Sequence, residues 1–288
     1  MRTMILFVTA FVLAQAQPPD TEVYLAKLQV ANGVVTVGPP ENISNSAGYD
    51  NQPSFSRDGR SVFFTSARGG QMDIYRYDIA AKSVAPVTKT PESEYSATVT
   101  PDGAHISVIR VESDQAQRLW KFPLAGDEPS LVLTDVKPVG YHAWLDANTL
   151  ALFVLGQPAT LQIADVRTGK AEVAARNIGR SLVPIPGGGV SFVQRDADKT
   201  MRINRVAVEQ GKFVVTPLIG TAPDATEEFV AWTPDGTLLM AAGGKLYGWR
   251  RGDTDWKPVA DLSGFGVRGV SRLAVSPQGD WLALVAAK

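Results

Sequence analysis

QPSFSRDGRSVFFTS, residues 52–66, reads as a short strand, a tight turn and a second strand that is almost wholly apolar. Ser56-Arg57-Asp58-Gly59 has the chemistry of the turn: short polar side chains that hydrogen-bond their own backbone, and a glycine where φ turns positive. The run SVFFTS that follows lacks polar alternation and is too short for a helix. It has the pattern of a strand covered on both faces.

Outward from this stretch the same unit returns five more times at an irregular spacing of about 45 residues, the period of propeller blades. The later turns are TPDG (100–103), LDAN (145–148), PGGG (186–189), TPDG (233–236) and SPQG (276–279). Phe55, Val99, Trp144, Trp232 and Val275 stand just before five of the six turns, and HISVIRV, TLALFVL, VSFVQ, TLLMAA and WLALVAA follow the later five. Third strands such as DIYRYDI (73–79) and KLYGWRR (245–251) alternate more clearly. Fourth strands are SLVLTD (130–135) and others such as VAPVTKT (84–90), FVVTPLI (213–219) and WKPVADL (256–262) that include prolines, which suit an outer edge where a missing ladder donor costs little.

Complete units end near Leu262, after which the chain supplies only a first and a second strand, SRLAVSPQGDWLALVAA. TEVYLAKLQV (21–30) and VVTVGPPENIS (34–44) supply a third and a fourth. Joining the two ends makes one more blade and removes the open edges that template aggregation. The expected fold is all-β: a six-bladed β-propeller of four-stranded antiparallel blades over residues 17–288, closed by N-terminal strands that complete the C-terminal blade.

The 288 residues are 44% hydrophobic and 20% charged, enough apolar material for one large all-β domain. A formal net charge of -1 gives no electrostatic pull toward phosphate backbones, so nucleic acid is not an expected partner. Without cysteine the chain has no disulfide, thiolate metal site or catalytic thiol. MRTMILFVTAFVLAQA has one basic residue, an apolar run from Met4 to Leu13 and small residues at Ala14 and Ala16. It reads as a signal peptide over residues 1–16, too short for a bilayer core that needs about twenty apolar residues. The expectation is a periplasmic or secreted monomer with no membrane insertion of the mature chain.

YDNQPSFSRDGRSVFFTS, then GGQMDIYRYDI, then PVTKTPESEYSATVTPDG together resemble the TolB-type, WD-like propeller repeat. Tyr49 to Thr90 match its aromatic, Ser-Pro-Asp-Gly, Gly-x-x-Asp-Ile-Tyr and closing Leu-Thr pattern closely. The resemblance implies six blades, an envelope or extracellular setting and a role in protein complexes. Related propellers precede hydrolase domains, but this sequence has no G-x-S-x-G elbow.

Ligand-binding residues are expected where the loops entering each first strand converge on the channel mouth. These are Tyr49, Asp50 and Asn51; Glu94 and Tyr95; Tyr141 and His142; Arg180; Glu227 and Glu228; and Arg268. Aromatics mixed with charges of both signs suit a protein segment or a sugar, or they are polar loop residues with tyrosines packed between blades. His105 reads as structural, and His142 as the one candidate general base or metal ligand. The carboxylates at the mouth are candidates to share a Ca²⁺ ion, although no Asp-x-Asp-x-Asp-Gly loop supports one. Asp58, Asp102 and Asp235 are turn residues, and Trp120, Trp249 and Trp256 are expected on outer, partly exposed strands. The leading reading is a non-catalytic module that binds another envelope or secreted protein or peptide. The alternative is a propeller enzyme or carbohydrate-binding protein acting on a sugar, lactone or peptide at the same mouth.

Overall fold

The computed structural model describes residues 18–31, 33–125, 128–198 and 200–288. The expected signal segment lies outside them. Six four-stranded antiparallel blades stand in a ring. Blade 1 comprises Asp50–Phe55, Ser61–Ser66, Asp73–Asp78 and Ser83–Pro86. Blade 2 comprises Ser93–Val99, His105–Val111, Gln117–Pro123 and Ser130–Leu131, and blade 3 Val139–Trp144, Thr149–Val154, Thr160–Asp165 and Lys170–Arg176. Blade 4 comprises Ile178–Pro184, Val190–Arg195, Met201–Glu209 and Lys212–Gly220, and blade 5 Val230–Trp232, Thr237–Ala242, Lys245–Arg250 and Lys257–Asp261.

Blade 6 joins the two ends of the chain as the sequence predicts. Arg272–Val275 and Trp281–Ala287 form its inner half, and Thr21–Ala31 pairs antiparallel with the latter from Thr21↔Ala287 to Lys27↔Trp281. Its outer edge is shared. Val34–Val37 pairs with one end of Thr21–Ala31, and Glu41–Asn42 with the other.

The second strands are apolar because each is pressed between two neighbours. Val62 and Phe64 face blade 6, while Phe63, pointing to the opposite face, packs with Ile106 and Val108 of blade 2. The same division holds around the ring, so six hydrophobic clusters lie one at each boundary between blades.

The turn aspartates serve their own backbone. Asp58, Asp102 and Asp235 each accept from the hydroxyl two residues earlier and from the N–H two residues later, closing the hairpin from inside. The turn of blade 4 falls one residue earlier than PGGG suggests: the Gly188 N–H donates to the Ile185 carbonyl at 2.9 Å. Gly187, Gly188 and Gly189 all take positive φ, so the chain reverses sooner and leaves Gly189 leading into the second strand. The outer strands of blades 1 and 2 are shorter than the sequence suggests. Trp249 is buried rather than partly exposed, and its indole N–H donates to the Asp253 carbonyl at 3.0 Å. Among the described residues no helix is long and apolar enough to cross a membrane.

Candidate functional site

The six first strands touch one another around the axis, and their side chains line a central channel with a cavity of about 500 Å³. One end opens between the turns. The other is the mouth, where the chain enters each first strand.

At the mouth the structure brings Tyr49, Tyr95, Tyr141 and Arg180 together with Phe229 and Arg272, two residues that the sequence reading passes over. Arg272 is the centre of the cluster. Its guanidinium lies 3.6 Å from the centroid of the Phe229 ring and donates to the Tyr141 hydroxyl at 2.8 Å. Tyr141 and Phe229 meet edge to face at 6.3 Å, and the Arg180 guanidinium lies 5.4 Å from the centroid of the Phe229 ring. Tyr49, Tyr95, Tyr141 and Arg180 also enclose a second cavity of about 310 Å³ above the first. Burial pushes the Tyr49 hydroxyl up to about 12, despite the nearby charge of Arg272.

Asp50, Glu94 and Glu228 each face an arginine, and Glu94 also neighbours the Asp73 carboxyl. Asp50, buried, lies 3.8 Å from Arg68; Glu94, buried, lies 3.6 Å from the Arg110 Nε and accepts from the Thr90 hydroxyl. Glu228, also buried, accepts from the Arg180 Nε at 3.0 Å and from Arg195 at 2.7 Å. Among the described residues no three carboxylates or imidazoles gather closely enough to hold a metal ion. Asn51 holds backbone: its Oδ1 accepts the Gln52 N–H at 2.8 Å. Glu227 is half-buried, and Arg268 is exposed and lines neither cavity.

His142 lies one step below Tyr141 with its ring between blades 2 and 3. Its Nε2 is 2.7 Å from the Ser107 Oγ, which also accepts from the Trp144 indole at 2.9 Å. Blade 5 repeats the arrangement without a histidine: Trp232 donates to Ser191 Oγ, and Ser191 donates to the Val183 carbonyl. Burial pushes the His142 imidazole down to about 3, so it is neutral near pH 7.

Glu94 gives the mouth a measurable signature. Burial pushes its carboxyl up to about 7, against hydrogen bonds from Thr90 and Thr88 and the charge of Arg110 that pull it down. The unfolded side chain loses its proton near 4.5. Between these values the folded protein binds the extra proton, so this group's contribution to stability falls as pH rises through that window. Glu94→Gln is therefore expected to flatten the decline in melting temperature between pH 5 and pH 7.5 relative to the parent. Parallel melting curves for the two proteins would contradict the assignment.

The family model described as "TolB beta propeller domain" matches residues 9–153. An uncharacterized protein of Agrobacterium fabrum is 27% identical over 87 residues, which are 30% of this chain and 28% of that protein's length. Among solved structures, a candidate TolB from Agrobacterium tumefaciens superposes with a TM-score of 0.70 at 17% identity, covering 93% of this chain and 98% of the other. A gluconolactonase from Xanthomonas campestris superposes with a TM-score of 0.65 at 9% identity, covering 96% of this chain and 99% of the other. At these identities the likeness is one of fold.

Proposed function

The chain belongs to the TolB beta propeller domain family, and we propose that it works as an exported, non-catalytic binding module that takes a protein or peptide segment of the envelope or secreted space at its channel mouth. One observation carries the reading. Arg272 is half-buried on an aromatic platform and makes no ion pair among the described residues, whereas Arg180 and Arg195 are both held by Glu228. An unpaired guanidinium with part of its hydration removed favours an anion, and its planar fork matches a carboxylate. A segment presenting an acidic side chain or a terminal carboxylate would meet Arg272, flanked by the rings of Tyr49, Tyr95 and Tyr141, the residue types that anchor interfaces. Turnover has less to rest on. The single imidazole near the mouth is buried against Ser107.

The test is capture from an envelope extract at physiological salt, with tagged parent protein beside Arg272→Ala. A charge-assisted hydrogen-bonded pair contributes about 1.5–3 kcal/mol, so retention of the captured protein is expected to fall at least about tenfold. The melting temperature should change little. Equal retention by both proteins would remove Arg272 from the site.

A further inference from the structure

The face that bears the turns has a cavity of about 700 Å³ between blades 4 and 5, remote from the mouth and unused by the function proposed above. It is open because of a local departure from the repeat. At three other boundaries a turn side chain reaches the next blade: Arg57 donates to the Pro101 carbonyl, Gln278 donates to the Arg57 carbonyl at 3.1 Å, and Pro234 packs on Gly279. In blade 4 the corresponding positions are Pro186, Gly187 and Gly188. A Cβ placed on either glycine would meet nothing within 4 Å.

The floor exposed by that gap is apolar carbon. Half-buried Trp232 and Leu218 present it, with the buried Trp249 edge to face behind Trp232 at 6.5 Å. Both indole N–H groups are already engaged, with the Ser191 hydroxyl at 2.9 Å and the Asp253 carbonyl at 3.0 Å, so the rings have only hydrocarbon surface to offer. The rim has the opposite character. Arg205 lies 3.3 Å from Glu209, and Arg250 lies 3.5 Å from Asp235, while Arg251 is exposed and makes no ion pair among the described residues. Donors and acceptors therefore alternate around an indole floor, with one positive charge in excess.

We propose that this cavity binds a saccharide bearing a carboxylate. The C–H face of a sugar ring covers Trp232 and Leu218, its hydroxyls both donate to Glu209 and Asp235 and accept from Arg205 and Arg250, and its carboxylate pairs with Arg251. A flat aromatic acid would also cover the floor but would bring no hydroxyl donors to Glu209 and Asp235, whose contacts with Arg205 and Arg250 leave acceptor positions free. The volume lies within the range of small-molecule sites.

Calorimetric titration of the full chain with glucuronate and with glucose tests the proposal. Glucuronate is expected to bind saturably and at least about tenfold more tightly than glucose, the difference that one charge-assisted contact supplies. Arg251→Ala, at an exposed position, should bring the two sugars to within about twofold of each other. Thr216→Trp fills the cavity from the outer strand opposite Arg205 and should abolish binding of both. Arg272→Ala, at the mouth, should leave sugar binding unchanged, so failure here is separable from failure of the peptide-binding reading. Absence of saturable glucuronate binding, binding that survives Thr216→Trp, or binding lost with Arg272→Ala would each overturn the assignment.

Discussion

Removal of Thr21 to Ser44 is expected to abolish recovery of the protein as a soluble, cooperatively melting monomer. The deletion takes away Val23, Leu25, Leu28, Val35 and Ile43, all buried in the clusters on either side of blade 6. Each aliphatic side chain contributes about 1.5–3 kcal/mol of transfer free energy, so together they rival the roughly 5–15 kcal/mol by which an ordinary domain is stable. The deletion also bares the Trp281–Ala287 edge that Thr21–Ala31 now pairs. A long apolar edge with free N–H and C=O groups recruits other chains, so material that survives should oligomerise. Size exclusion and thermal melting decide the matter. A soluble monomer with a single transition would show that the ring does not need its closing strands.

Phe64→Ala should lower stability by about 3–5 kcal/mol, the range for a large aromatic truncated in a packed core. Phe64 is 0% exposed, sits between blades 1 and 6 and stacks on Tyr75 at 6.3 Å. Phe265→Ala is the comparison, because that ring is 50% exposed and its truncation should stay within about 0.5 kcal/mol of the parent. Urea titrations of the two variants provide the contrast. Equal effects would mean that the central strand of blade 1 is less tightly held than its contacts indicate.

The ring was legible in the sequence because its cause is periodic. Six turns and six apolar second strands recur with the chemistry that buried, twice-covered strands require, and the split sixth blade follows from counting strands at the two ends. The mouth was legible only in part. Asn51 and Tyr95 lie four residues before Phe55 and Val99, whereas Tyr141, Phe229 and Arg272 lie three residues before Trp144, Trp232 and Val275. The reason is a bulge between Asn51 and Ser54 and another between Tyr95 and Thr98, while the first strands of blades 5 and 6 pair without one. The entry loops as read stop at Glu228, four residues before Trp232, and at Arg268, seven before Val275, and so miss Phe229 and Arg272. Gln52 and Ser96 take positive φ in these bulges, which nothing in their residue types announces. Trp249 was misplaced because its ring joins the cluster between blades 4 and 5, with Ala222 of the connecting loop, which alternation along its own strand does not reveal.

Because every cluster of buried side chains lies between blades, a blade has no core of its own to keep when its neighbour leaves. Local opening of one blade must strip apolar surface from both sides, so its free energy approaches that of opening the whole ring. Amide exchange in the second strands should accordingly slow to a common rate set by global unfolding, with no hierarchy from blade to blade. Linear arrays of repeats fray from their ends, but here the two chain ends are partners in one sheet, and the place where fraying would begin is itself a closed boundary.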